Sequence, residues 1–151
     1  RFNVLESAGK TLVVTDGRNV SSLAALVEAL DNFSHEKRTI VYSAEEDRRD
    51  RDLIRQGELL GKSFDHVVLC EIEQGIDRQS GEVTQLLRSG IGAADRAQRI
   101  EEIPDWDSAV DFAWSTLGIG EMLVIQACTV SKTVRKVQLM LGLEQVEAGV
   151  A

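Results

Sequence analysis

Apolar and polar positions along the chain change period several times, and each change marks an element. Residues 2–7 (FNVLES) and 11–15 (TLVVT) read as strands joined through Ala8-Gly9-Lys10, a connection suited to a β-hairpin. Asp16-Gly17 breaks the second strand, and Asn19 stands where a helix N-cap belongs. Val20, Leu23, Leu26, Val27 and Leu30 then recur at helical spacing and predict a helix over 20–32.

From there strands and helices alternate. RTIVYS (38–43) is a strand, and Asp50 caps a helix carrying Leu53, Ile54, Leu59 and Leu60 that stops near Gly61. FDHVVLC (64–70) is a strand; Ser80 caps a helix with Val83, Leu86 and Leu87 that runs out around Gly90 and Gly92. Residues 99–103 alternate in polarity like a short edge strand. Pro104 and Asp105 open a helix bearing Trp106, Val110, Ala113, Trp114 and Leu117, and both tryptophans read as core packing. EMLVIQ (121–126) is the last strand, and residues 130–141 form a helix with Val130, Val134, Val137 and Leu141 on one face.

Two strands followed by helix–strand alternation imply an α/β fold of three layers: an N-terminal β-hairpin, then a mostly parallel sheet of about six strands with helices on both faces. One domain spans residues 1–142, and 143–151 read as a tail. Ligands of such sheets bind at the C-terminal strand ends. The turns that matter are therefore 15–19, 44–50, 70–79 and 126–130.

Composition narrows the class. The 151 residues are 43% hydrophobic and 28% charged, and the formal net charge of −8 argues against nucleic-acid binding. No apolar run approaches the roughly 18 residues of a membrane span. Arg1-Phe2-Asn3-Val4 has neither an initiator Met nor the features of a signal peptide, and reads as a cut inside a longer chain. Cys70 and Cys128 fit reduced thiols of a cytoplasmic protein, and His35 and His66 lie too far apart for a zinc site.

Candidate chemistry gathers at the strand ends. The turn inside 11–30 aims backbone N–H groups and a helix dipole at one point, as a phosphate site does and as many ordinary turns do. The next loop holds Glu45, Glu46, Asp47, Arg48, Arg49 and Asp50, with Arg51 just beyond. It suits either a solvated salt-bridged turn, or arginines that grip a carboxylate or phosphate while acids orient them. Arg78 beside Ser80-Gly81 invites the same two accounts. The chain has no Walker A, GxGxxG, GxSxG or HExxH sequence, so it brings no phosphate cradle of its own; no catalytic residue and no metal ligand is assigned.

Several stretches together resemble a known family. Arg1-Phe2-Asn3-Val4 with the following hairpin, the Val-Val strand, the turn and SSLAALVEALD resemble the C-terminal domain of Mur-type ligases. TIVYSAEEDRRDRDLIRQGELLGKSFDHVVLCE (39–71), Arg78-x-x-Gly81-Glu82 and Arg99-Ile100-Glu101-Glu102-Ile103 are most similar to the cyanophycin synthetases within that group. The resemblance reaches about Leu141 and implies a Rossmann-like domain of an ATP-dependent amide ligase. Such ligases use ATP and Mg²⁺ to activate a carboxylate as an acyl phosphate, which an amine attacks.

The resemblance also implies a division of labour. The P-loop lies in an upstream central domain of the same chain, which holds most of the ATP and Mg²⁺, so neither is expected on this piece alone. The C-terminal domain closes over the nucleotide and helps to bind the incoming amino acid, arginine by resemblance. Arg1, Asp16, Arg18 and Asn19 fall on the nucleotide side, while Asp47, Arg48, Arg49 and Arg78 fall on the substrate side. Self-association into a homo-oligomer is compatible with this picture.

The departures lie in the turns. Thr15-Asp16-Gly17-Arg18-Asn19-Val20 replaces the family's Asp-Tyr-(Ala/Gly)-His-Asn-Pro, so that only Gly17 and Asn19 fit. Asp16 comes one position late, and strand alternation aims it at the other face. Glu45-Glu46 replaces small residues, and Cys128-Thr129-Val130-Ser131-Lys132 replaces Asp-Glu-Val-Asp-Glu. The nucleotide-facing turn is thus degenerate. A catalytically inactive structural or interaction module retained from such a ligase is the alternative. A receiver-like signalling domain is disfavoured by the missing acid pair after its first strand.

Overall fold

In the computed structural model, residues 2–33, 37–45, 49–71, 79, 81–127 and 129–142 are described. The strands are β1 (Phe2–Ser7), β2 (Lys10–Thr15), β3 (Arg38–Tyr42), β4 (His66–Leu69), β5 (Arg99–Glu102) and β6 (Met122–Gln126). The helices are α1 (Val20–Leu30), α2 (Asp50–Ser63), α3 (Glu82–Gly92), α4 (Trp106–Thr116) and α5 (Val130–Leu141). One six-stranded sheet has the order β1-β2-β6-β3-β4-β5. Only the β1–β2 hairpin is antiparallel, and Ala8 and Gly9 take positive φ at its turn.

The central strands β3, β4 and β6 are buried throughout, as sheets covered on both faces require. Alternation along them sends successive side chains into two cores. Val13, Ile40, Tyr42, Val67, Leu69, Met122 and Val124 meet α1, α2 and α3 through Leu23, Leu30, Leu53, Leu60, Leu87 and Ile91. Leu12, Val41, Val68, Leu123 and Ile125 meet α4 and α5 through Trp106, Ala109, Val110, Ala113 and Val137. The helices after β2 and β3 therefore cover one face and the helix after β6 the other. Because β6 lies between β2 and β3, its C-terminal end stands at the topological switch point, where such sheets open a crevice.

The opposite, N-terminal end of the sheet is closed by a polar hub. Arg38, 5% exposed, donates to the carbonyls of Leu30 and Ser63 and to the Asp31 carboxylate, joining the ends of α1 and α2. Asp65 accepts from the Arg38 backbone N–H and from the Arg96 guanidinium. Burial alone would raise the Asp65 pKa, but the Arg96 side chain, the Arg38 N–H and the charges of Arg96 and Lys37 together hold it below the ordinary value of 3.8.

Several boundaries differ from the sequence reading. Asp50 is the first residue of α2, not its cap; Arg49 stands at the N-cap with extended backbone and Asp50 and Asp52 complement the dipole from the first turn. Ser80 lies outside the described residues, and Gly81 holds the N-cap position of α3 with φ 84°, a left-handed conformation suited to glycine. On α5 the inward positions are Thr133 and Val137, while Val134 is 47% exposed. Thr133 can take the buried place because its hydroxyl donates to the Thr129 carbonyl at 2.7 Å.

Candidate functional site

The edge formed by the C-terminal strand ends is built around β2, β6 and β3. β2 ends at Thr15, whose partner in β6 is Gln126. The Ala127 N–H donates to the Thr15 carbonyl at 2.6 Å, carrying the pairing one residue past the strand. The chain then turns through Asp16-Gly17-Arg18 into Asn19, whose Oδ1 accepts the Ser22 N–H at 2.8 Å. The expected N-cap is present, with extended backbone at φ −128°, ψ 171°. Arg18 swings back across the end of β6 and donates to the Ala127 carbonyl.

Two shallow depressions flank this turn, and Asp16, exposed, forms the ridge between them. One, of about 370 Å³, is lined by Thr15, Gly17, Ser21, Ser22 and the start of α1. The other, of about 300 Å³, lies between Asn3, Val14, Ala127, Thr133 and Val134. Farther along the edge, Asp105 caps α4 and its carboxylate accepts from the Ser108 hydroxyl and N–H, bonds that hold its pKa below the ordinary range. Trp106 is buried as expected, and its Nε1–H donates to the Gln126 carbonyl at 3.0 Å. Lys132 lies 5.4 Å from the centre of that ring.

The structure brings Asp16, Arg18 and Asn19 together on one turn, as the sequence placed them. Arg49 stands at the next loop with its side chain 69% exposed and its Nε 3.1 Å from Asp52. Arg1, Asp47, Arg48 and Arg78 lie outside the described residues, as does Cys128. Cys70 is a buried thiol just past β4, and its Sγ lies 3.7 Å from the Tyr42 carbonyl oxygen. Among the described residues no His, Cys, Asp or Glu cluster could hold a metal ion, and no helix is long and apolar enough to cross a membrane.

The residue that pattern reading passed over is Gln126. It closes a strand that otherwise reads as apolar, and it is 2% exposed. Its Oε1 accepts from the Ser43 N–H at 2.7 Å and the Ser43 hydroxyl at 3.2 Å, while its Nε2 donates to the Gly17 carbonyl at 3.0 Å. The signal in the sequence is a lone amide at the C-terminal end of a buried strand.

A nucleotide triphosphate needs N–H donors and cations converging on its oxygens. At this turn the Asn19 oxygen already caps α1, the Arg18 guanidinium reaches back to a carbonyl, and the Asp16 carboxylate would repel phosphate. The described residues do not fit a phosphate cradle.

Residues 1–128 match the family model described as "Mur ligase, glutamate ligase domain". The chain belongs to this Mur ligase family. Cyanophycin synthetases from five strains match it at 22–25% identity; that of Nostoc sp. is 24% identical over 139 residues, 92% of this chain and 15% of the relative. The chain therefore spans about 15% of the length of such relatives. Among solved structures, Escherichia coli FolC in complex with ADP superposes with a TM-score of 0.70 at 12% identity, covering 92% of this chain and 32% of FolC. A UDP-N-acetylmuramoyl-L-alanyl-D-glutamate–2,6-diaminopimelate ligase superposes at 0.67 and 16% identity, covering 83% and 25%. The Mur ligase C-terminal fold expected from the sequence, Rossmann-like and with its N-terminal hairpin, is the fold observed.

Proposed function

We propose that this chain is the C-terminal domain of a cyanophycin-synthetase-like, ATP-dependent amide ligase, and that it closes over a nucleotide held by an upstream central domain and helps to bind the incoming amino acid. The observation that carries this reading is the family match across residues 1–128, combined with a sheet edge that gathers Asp16, Arg18 and Asn19 on one turn. ATP and Mg²⁺ supply carboxylate activation when bound to the whole ligase.

The work left to this chain is positioning. In this reading Arg1, Asp16, Arg18 and Asn19 belong to the nucleotide-facing rim, with Arg1 and Arg18 supplying positive charge and Asn19 capping α1. Asp47, Arg48, Arg49 and Arg78 are assigned by resemblance to the substrate side, and their two signs of charge suit a zwitterionic amino acid: the acid for a guanidinium such as that of arginine, the arginines for its carboxylate. Closure excludes water from the reacting centre, a role that rims of this kind serve without holding the phosphates themselves.

The test is ATP-dependent incorporation of radiolabelled arginine into an aspartate-rich acceptor by the full-length protein. Turnover is expected to fall at least tenfold in Arg1→Ala and Asp47→Ala; full turnover in both variants would overturn the site assignment. A second reading is favoured by the Arg18 guanidinium folded onto the Ala127 carbonyl and by the substituted turn: a catalytically silent module that keeps its parent assembled. It predicts no ligase turnover in the full-length protein, together with loss of soluble assembly when residues 1–142 are deleted. Normal assembly after that deletion would count against it.

A further inference from the structure

The family match says nothing about how the two sides of the edge are held relative to each other. β2 leads into the turn assigned to the nucleotide side and β3 into the loop assigned to the amino-acid side, and the two strands are separated by β6. No backbone ladder joins them directly. Among the described residues Gln126 connects them through its side chain, its amide reaching Gly17 beyond β2 with Nε2 and Ser43 beyond β3 with Oε1. The buried Ser43 N–H would cost free energy without its acceptor, and the buried Gln126 amide would cost free energy without the half-buried Gly17 carbonyl, so the contact is favoured from both sides. The donor and acceptor pattern also fixes the amide's orientation: only Nε2 can serve a carbonyl, and only Oε1 can serve an N–H.

We propose that Gln126 is a positioning residue that locks Gly17 in the β2–α1 turn to Ser43 at the C-terminal end of β3, so that these two strand ends move as one unit. The functional part of this inference rests on the reading of the edge given above. The chemistry is selective for a primary amide. A glutamate at this position keeps the acceptor for Ser43 but offers no donor to the Gly17 carbonyl, a lysine keeps only a donor, and a leucine keeps neither. The anchor behind Gln126 is stiff, because its own carbonyl accepts from Trp106 Nε1 and its neighbour Ala127 is bonded to Thr15. Displacing one turn therefore displaces the amide rather than the strand, and the motion is handed to the other turn.

The test is a nitrogen-15 NMR double-mutant cycle on the 151-residue chain. The Arg18 amide follows the Gly17 carbonyl and reports on the bond to Nε2; the Ser43 amide reports on the bond to Oε1. Ser43→Ala removes only the hydroxyl donor, on the far side of β6. It is expected to move the Arg18 amide resonance when Gln126 is present and to leave it unmoved in a Gln126→Leu background. Equal displacement in both backgrounds, or none in either, would overturn the proposal. Should Gln126→Leu fail to fold, Gln126→Glu decides: the Ser43 amide keeps its exchange protection while the Arg18 resonance shifts, and loss at both sites or at neither overturns the coupling. In the full-length protein, Gln126→Glu is expected to raise KM for ATP and for the amino acid together, about tenfold each, and a rise in one alone counts against the coupling. Absence of ligase turnover in the unmutated full-length protein defeats the functional reading and leaves the NMR cycle to decide the coupling.

Discussion

At the residue scale, the sequence was informative where a side chain acts on its own neighbours. Asn19 was legible as a cap because capping needs only a short polar side chain three positions before a free N–H, and the Ser22 N–H meets it. Gln126 and Asp65 were not legible, because each owes its role to partners on other strands: Gly17 and Ser43 for one, Arg38 and Arg96 for the other. Asp65 carries a pH prediction. Its pKa is lowered in the folded state, so its stabilisation is whole above the ordinary value of 3.8 and is lost as the pH falls through that value toward the folded pKa. Asp65→Asn should lower stability by about 1 kcal/mol at pH 7, since the Arg96 contact is partly solvent-exposed. The gap to the unmutated chain should narrow as the pH falls below 3.8, measured by urea unfolding at a series of pH values. A gap that does not change with pH would contradict the assignment.

At the element scale, periodicity located each helix and strand and misjudged what the glycines do. Gly61 and Gly90 read only as helix-end signals; α3 does end at Gly92 as expected, while α2 continues past Gly61 to Ser63. They are contact points. A Cβ on Gly57 would stand 2.1 Å from the Leu87 carbonyl oxygen, and one on Gly90 would stand 2.0 Å from that of Ile54. The two helix backbones pack directly on each other, with no flexible side chain able to yield. Gly57→Ala and Gly90→Ala should each destabilise the chain by about 2–3 kcal/mol or more despite the better helix propensity of alanine. Gly92, beside which a Cβ meets nothing within 4 Å, is the control. Gly92→Ala should be neutral or stabilising by up to about 1 kcal/mol. Urea midpoints of the three variants check the ordering, and a Gly57→Ala midpoint equal to that of Gly92→Ala would refute the close approach. Similarly, Val134 looked like a core position of α5, but the helix lies rotated so that Thr133 and Val137 face inward.

At the scale of the whole molecule, the charges and donors at the ligand edge predict weak nucleotide binding by this chain alone. The Arg18 guanidinium is engaged by the Ala127 carbonyl and the Asn19 oxygen by its helix. Titration calorimetry of the 151-residue chain with ATP and Mg²⁺ should show no binding in the sub-millimolar range, and a clear isotherm there would contradict the reading of the edge as a rim. The split of helices between two faces explains why the rim forms at this end. The helices after β2 and β3 leave on one side of the sheet and the one after β6 on the other, so the chain parts around the end of β6.

The sequence by itself determined the element order, the parallel sheet, the two-faced core and the family, because these follow from local periodicity and from residues read one stretch at a time. Strand order was decided only in the tertiary structure: β6, last in the chain, inserts between β2 and β3, and no local pattern encodes which strands become neighbours. From that insertion follows what one-dimensional reading could not reach. Gln126 joins residues 109 positions back and 83 positions back in the chain, and Gly57 meets Leu87 and Gly90 across a helix crossing. The physical reason is the same in each case: a hydrogen bond or a close backbone contact depends on distance in space, and for these residues the fold alone sets that distance.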